Sequence, residues 1–423
     1  MDEQFLYYIW SNRLIKGEPV TTDGESIVVL GTGYRNTNSG PDFLEAKLKI
    51  GNTIWAGNVE IHVRTSDWNR HRHQHDKAYG NVILHVVYEH DTRVNDIPVL
   101  ELKNRFDENL CDRYNDFVGG KKELPCANLL HTVQKFTWLS WLDALVVERL
   151  QAKSVMVAKM LSDNTSDWED AFYKLLLHYM GLKVNNDAFA LLGNVLPYRV
   201  LKKHADNLTQ VEAMLFGCAG LLSETYTDEY STLLRREFGV MQAKFNLKTM
   251  PPSMWRFMRM RPGNFPTIRL AQIAQIVHKN TSVFSKLLSC SNINDVRKIF
   301  DVGTSPYWET HYRFMTVSHR KKKHLGEMTA NTLIINVVAP LLFNWGKSHE
   351  QPEQCDKAIA LLEGIGAEDN RITRLFTQAG IDFQNATQSQ AVLTLYENYC
   401  RKRRCLECRI GNILINSDIK SNN

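Results

Sequence analysis

Asn38-Ser39-Gly40-Pro41-Asp42-Phe43, followed one turn later by Gly57-Asn58-Val59-Glu60-Ile61-His62, is the stretch on which the reading of this chain depends. Successive side chains of a strand point to opposite faces, so Glu60 and His62 share one face while Val59, Ile61 and Val63 take the other. The first pair offers ligands; the second builds a core. Phe43–Ile50 and Ile54–Val63 both have strand character, and Gly51-Asn52 between them predicts a hairpin. Asp42 opens the first of these strands and is expected at the mouth of the sheet beside Glu60. Two carboxylates so placed suit a hard divalent ion such as Mg²⁺ or Mn²⁺, which takes oxygen ligands and keeps positions open for phosphate and water. The plainer alternative is a turn at Pro41-Asp42 and a hairpin whose Glu60 and His62 face solvent.

Working outward, Gln4–Lys16 places Leu6, Ile9, Trp10 and Leu14 at helical spacing, as for one amphipathic helix lying on a sheet. Ser26–Leu30 predicts a strand, the polar stretch Ser66–Ala78 one short helix, and the apolar run Asn81–Tyr88 a further strand. The order is α-β-β-β-α-β. Gly119-Gly120 and Lys121-Lys122 read as a linker. Beyond it, Phe136–Leu161, Asp167–Met180, Asn186–Leu192 and Val211–Leu222 repeat apolar residues every three or four positions, with Asp167 as an N-cap and Gly181 as a stop. The expected fold class is α+β, with an α/β domain over 1–120 and an all-α domain over 125–423.

A chain of 423 residues with 43% hydrophobic and 23% charged residues can bury a large core, which excludes disordered, collagenous and coiled-coil classes. The charge is mildly basic, +5 from 51 Lys+Arg against 46 Asp+Glu. The best apolar stretch, Leu333 to Trp345, holds two asparagines and falls short of the roughly 18–20 residues that cross a bilayer. Met1-Asp2-Glu3-Gln4 is acidic where a signal peptide is positive. The expectation is a cytoplasmic protein without membrane contact. Its eight cysteines are then thiols, metal ligands or packing residues.

Pro41-Asp42, an intervening hairpin and Glu60-x-His62 resemble the signature of the PD-(D/E)XK nuclease superfamily. The resemblance implies a restriction-endonuclease-like αβββαβ core in which Asp42 and Glu60 bind the metal and the third position orients or activates a water. Here His62 stands where that superfamily usually has lysine; an imidazole can serve as general base or ligand near neutral pH, and Lys77 is a candidate to replace the missing amine. His71, His73 and His75 follow, with Asp67 and Asp76 beside them and His85 in the next strand. In an extended run 71, 73 and 75 face one way; on a helix 71 and 75 do. His75 and His85 are the candidates to support the catalytic set. Over its length the chain also resembles an uncharacterised bacterial family, domain of unknown function 2851. That likeness rests on Gly40-Pro41-Asp42-Phe43, Val59-Glu60-Ile61-His62, Ser66-Asp67-Trp68, Leu84-His85-Val86-Val87, Arg261-Pro262-Gly263-Asn264-Phe265-Pro266 and Cys405-Leu406-Glu407-Cys408, and it implies no activity.

Residues 241–280 contain seven Lys/Arg and no acid. Arg256 and Arg259, one helical turn apart, with Arg261 and Arg269, are candidate phosphate contacts, and Trp255, Phe257 and Phe265 are candidate stacking surfaces. His319–His324 and Arg401–Arg404 are further basic runs. A nucleic acid is the expected partner. Cys400-x4-Cys405-x2-Cys408 suits zinc or an iron–sulfur cluster, with Cys126, Cys355 or a histidine as fourth ligand. These features together point to a metal-dependent phosphodiesterase, a nuclease acting on DNA or RNA. Two alternatives stand beside it: a non-catalytic nucleic-acid-binding or protein-interaction module with a degenerate core, and a cupin-like enzyme using its histidines for metal.

Overall fold

The computed structural model describes residues 1–93, 97–120, 122–163, 167–223 and 225–417. Helix α1 (Glu3–Ser11) is capped by Asp2, whose carboxylate accepts the Gln4 N–H. Its apolar stripe, Phe5, Leu6, Ile9 and Trp10, is fully buried. It packs on a sheet of β1 (Ile27–Gly31), β2 (Tyr34–Arg35), β3 (Phe43–Ile50), β4 (Thr53–Arg64), β5 (Val82–Glu89) and β6 (Val99–Glu101). The strand order is β1-β3-β4-β5-β6, with β2 paired to β3. The β1–β3 and β3–β4 pairs are antiparallel, the second being the expected hairpin, whereas β4–β5 and β5–β6 are parallel. Val59, Ile61, Leu84 and Val86 point at the helix and share one core with Phe43, Leu48 and the α1 stripe.

The parallel pairing of β4 with β5 has a consequence for the other face. Parallel neighbours cannot be joined by a tight turn, so the chain must cross over the sheet between Arg64 and Val82. That crossover holds a single helical turn, α2 (Asp67–Arg70), then 3₁₀ turns at His73–His75 and Lys77–Tyr79. The one short helix expected over 66–78 is therefore three short turns. They lie over the Glu60/His62 side and bury it: Glu60 is 4% exposed and His62 2%. The solvated-hairpin alternative is thereby set aside. A bulge where β3 leaves Phe43 puts Leu44 and Glu45 opposite Asn58, with Glu45 at φ +57° and its N–H donating to the Asn58 side chain. Gly57 is needed where β4 meets the start of β5, since a Cβ there would lie 2.7 Å from the Asn81 carbonyl.

The units do not divide at the expected linker. Helix α3 (Glu108–Gly119) runs up to Gly119, Lys121 lies outside the described residues, and the first compact unit continues to Trp141. It also takes back residues 379–381 and the C-terminal segment from Leu395. Cys405, Leu406 and Ile415 of that segment enter the same core as α1 and α3.

The second unit, Leu142–Gln378 with Asp382–Thr394, is largely helical. A two-stranded hairpin, His311–Arg313 with Thr316–Val317, departs from the all-α expectation. Helix α4 (Lys135–Asp163) begins in the first unit, and α5 (Trp168–Met180) is capped by Asp167 and closed at Gly181 as its sequence predicts. Glu327–Ser348 forms one continuous 22-residue helix, longer than its sequence suggests and apolar enough to span a bilayer by composition, but 61% of its apolar window is buried inside the protein, as in a core helix.

Glu212 shows what burial does to charge in this unit. It is 2% exposed, accepts the Tyr230 hydroxyl at 2.8 Å, and its other oxygen has no partner. Burial pushes its carboxyl up to about 7. A raised folded value means a contribution to stability that is present below the ordinary 4.5 and lost as pH rises through 7. Glu212→Gln removes that titration. In pH-dependent denaturant melts the variant is expected to overtake the parent between pH 5 and 8, by an increment on the order of 2–3 kcal/mol. Parallel curves for the two proteins would contradict this account.

Candidate metal centre

Asp42 and Glu60 hold each other through the backbone. The Asp42 N–H donates to Glu60 Oε2 at 3.1 Å, and the Ile61 N–H donates to Asp42 Oδ2 at 3.0 Å. Each carboxylate thus satisfies a main-chain donor beside the other, which draws two acids together where the β3–β4 ladder ends at Phe43 and Val59. Asp42 also takes the Arg35 guanidinium at 3.3 Å and the Tyr7 hydroxyl. Arg35 in turn lies 3.5 Å over the Tyr7 ring. Asp42 is therefore already engaged by a cation.

Glu60 Oε1 is turned the other way, toward imidazoles. It lies 3.4 Å from His62 Nε2 and 3.3 Å from His73 Nε2. His71 Nδ1 is 3.1 Å from His62 Nε2, and ligand nitrogens of His62, His71 and His73 all fall within 4.8 Å of one another. Donor atoms about 2.0–2.2 Å from one ion stand about 3.0–3.5 Å apart, which the His71–His62, Glu60–His62 and Glu60–His73 separations match. His62 Nδ1 pairs with His85 Nε2 at 2.9 Å, leaving Nε2 to face the cluster. An outer partner that fixes ring orientation and tautomer is the usual support of a ligating histidine. His85 is fully buried on β5, opposite Glu60 in register, so a strand neighbour supplies it.

The electrostatics suit metal ligation. Burial, with the neighbouring imidazoles, drives His62 down to about 2 and His85 to about 3, and lowers His73. These rings are neutral at physiological pH, as ligands must be. Burial and the adjacent Asp42 push Glu60 up to about 8.

The cluster depends on a backbone feature with no signature in sequence. Arg72 adopts φ +63°, a left-handed conformation that breaks the chain between α2 and the His73–His75 turn and brings His71 and His73 to one side. Neither the extended nor the helical pattern applies. His75 ends the turn exposed and takes no part, and Lys77 is likewise exposed in the next turn. Asp67 is structural: it accepts the Arg64 N–H and pairs with Arg70. A cleft of about 300 Å³ reaches His73 between Trp68, Asp76, Tyr79 and Arg93.

In the helical unit, Arg256, Arg259 and Arg261 are exposed, but Arg256 and Arg259 stand on a loop between the 3₁₀ turns Pro252–Met254 and Pro262–Asn264 and do not share a helix face. Arg269 is 5% exposed and bonds Gln272, Asn264 and Thr329, so it is an internal strut and unavailable to a phosphate. Trp255 is core, its indole N–H donating to the Ala219 carbonyl, and Phe257 and Phe265 pack on each other beneath Arg313. In the later runs, Lys323 is buried against the Trp308 and Glu309 carbonyls, and Arg403 donates to the Gly120 carbonyl.

Fold and site thus define an α+β protein with a histidine–carboxylate cluster between the sheet, where Glu60 and His62 are buried, and a crossover connection that supplies the half-buried His73 and the exposed His71. Residues 3–371 match the family model described as Protein of unknown function (DUF2851), and the chain belongs to that family. Neither a curated protein nor a solved structure matches.

The role of Arg72 is testable. Arg72→Gly keeps the left-handed turn accessible and is expected to leave Zn²⁺ or Mn²⁺ affinity within about threefold, whereas Arg72→Pro, which fixes φ near −65°, separates His71 from His73 and weakens it at least about tenfold. Titration calorimetry on both variants, with circular dichroism to confirm the fold, reads the difference. Equal affinities would show that the turn does not build the site.

Proposed function

We propose that this chain is a metal-dependent hydrolase of phosphodiesters, with a nitrogen-rich centre formed by Glu60, His62, His71 and His73. The observation that carries the reading is the gathering of three imidazoles whose ligand nitrogens lie within 4.8 Å of one another, with Glu60 Oε1 3.4 Å from His62 and 3.3 Å from His73. Imidazole donors favour Zn²⁺, Fe²⁺, Cu²⁺ or Ni²⁺ over Mg²⁺, which asks for oxygen. The reading therefore moves the ion from the expected Asp42/Glu60 pair to Glu60 and the histidines. When bound, such an ion supplies a Lewis acid and a water of lowered pKa. The chain's own part is to orient the ligands, through His85 and the Asp42 latch, and to bring cations to a polyanion. Arg35, Arg70, Arg72 and Lys77 are exposed around the cluster and suit a phosphate-bearing substrate.

The antiparallel β3–β4 hairpin followed by a crossover to parallel β5, with the Pro41-Asp42…Glu60 signature, supports a nuclease, DNA or RNA, as the substrate class within this reading. Arg256, Arg259 and Arg261 remain candidates for backbone contact; Arg269 does not. A cupin is disfavoured, because cupins close two antiparallel sheets into a jelly roll, whereas this sheet is open and mixed. A non-catalytic module has one observation in its favour: both Asp42 oxygens are already satisfied by Ile61 and Arg35.

Elemental analysis of the full-length protein is expected to find about one transition-metal ion per chain at this centre, lost with His62→Ala or His73→Ala. Mn²⁺- or Zn²⁺-dependent cleavage of mixed DNA and RNA substrates is expected to fall by at least about 100-fold in Glu60→Ala. Metal bound without cleavage would favour the non-catalytic module; no metal, or cleavage indifferent to Glu60 and His62, would dismiss the proposal.

Proton linkage offers an independent check. With Glu60 raised to about 8 from 4.5, the metal-free fold keeps this carboxyl protonated at pH 7 and loses stability as pH climbs through 8. Cation binding at pH 7 is then expected to release about one proton per chain. The release appears as a buffer-dependent binding enthalpy and disappears in Glu60→Gln.

A further inference from the structure

Of the five cysteines in the first unit, Cys111 packs in the core on α3 and the other four gather, away from the histidine cluster in sequence. Cys126 precedes a 3₁₀ turn, Ala127–Thr132; Cys400 ends a π-wound turn, Leu395–Cys400; Cys405 lies in the loop that follows; and Cys408 caps the terminal helix Arg409–Asn416. Each thiol is within electrostatic reach of the other three. Two hydrogen bonds tie the segments together: Tyr396 donates to Glu123 at 2.7 Å, and Arg403 to the Gly120 carbonyl at 2.9 Å. Gly411 lets the terminal helix close on this loop, because a Cβ there would meet the Cys405 carbonyl at 2.3 Å. None of the four is in a disulfide, and Cys400, Cys405 and Cys408 are buried.

The surroundings are arranged for negative charge. Backbone N–H groups of Ile410 and Gly411 are directed at the Cys408 sulfur. The buried indole N–H of Trp141 has no oxygen or nitrogen acceptor and faces the same sulfur. Arg403 lies beside Cys400 and Cys405, and its Nη1 is buried without a partner. Buried donors left unpaired are costly, and neutral thiols are poor acceptors for them. Thiolates on a metal would accept them.

We infer that Cys126, Cys400, Cys405 and Cys408 ligate an iron–sulfur cluster that fastens the C-terminal segment to the sheet unit. Spacing decides between the metals. Around a single zinc, Zn–S bonds of about 2.3 Å bring the sulfurs to about 3.8 Å from each other. Among the described residues no three of these sulfurs lie within 4.8 Å of one another. A polynuclear cluster, each of whose irons binds its own thiolates, spreads its cysteines further apart. Cys126 is thus the fourth ligand that the C-terminal motif lacks locally, and Cys355 belongs to the other unit.

The test is made on the full-length protein purified without oxygen and reconstituted with ferrous iron and sulfide. Expected are about two to four iron atoms with matching acid-labile sulfide per chain and an absorbance band near about 400 nm. Cys126→Ser and Cys405→Ser are expected to lose at least half of the sulfide, while Cys355→Ser and Cys290→Ser keep it. Should the first two variants not fold, the wild-type content alone decides. Zinc without sulfide, two disulfides by mass spectrometry, or iron that survives Cys126→Ser would overturn the assignment. Sulfide distinguishes this site from ions at the histidine centre, whose fate His62→Ala reports separately.

Discussion

The exchange of hydrogen bonds between Asp42 and Glu60 governs the rest of the site. Two carboxylates on neighbouring strands repel, and only an arrangement that gives each its own donors keeps them side by side. Here the donors are the backbone N–H groups of Asp42, just before β3, and Ile61 on β4, beyond the last β3–β4 pair at Phe43 and Val59. The end of the ladder thus turns main-chain donors into a clamp. Because the clamp fixes Oε2, it also fixes where Oε1 must point, and the histidines collect around that oxygen.

Much of this was legible from periodicity. Strand alternation placed Glu60 and His62 together and Val59 and Ile61 in the core, and Gly51-Asn52 marked the hairpin. A short crossover between parallel strands was harder to read. His71 and His73 come together only because Arg72 takes a left-handed conformation, to which no residue-type preference points. Tyr7 and Arg35 reach Asp42 from elements remote in sequence, a matter of packing alone. In the helical half, charge and aromatic content do not mark the surface: Arg269, Lys323 and Trp255 are inside and satisfied by carbonyls or side-chain oxygens.

The C-terminal segment shows why a composition change is a poor guide to domain limits. The change from strands to helices near residue 120 is real, yet the sheet unit is not finished there. Its core lacks Leu406 and Ile415 until the chain returns some 270 residues later. A basic run such as Arg401–Arg404, read as a polyanion contact, serves that return: Arg403 and Arg404 hold the loop through Gly120 and Glu407.

Energetics also bear on the histidine cluster. His73 Nε2 and His85 Nδ1 are buried without hydrogen-bond partners, at about 1–3 kcal/mol each. Neutral rings stacked beside a protonated Glu60 gain little in return, so as a purely structural feature the cluster is a net cost that a core of leucines would avoid. A divalent ion bound as proposed would take up the ligand lone pairs, favour ionised Glu60 and stabilise the fold by RT ln(1 + [M]/Kd), which at a thousandfold excess over Kd is about 4 kcal/mol. That is comparable with the roughly 2–6 kcal/mol that the two unpartnered nitrogens cost together.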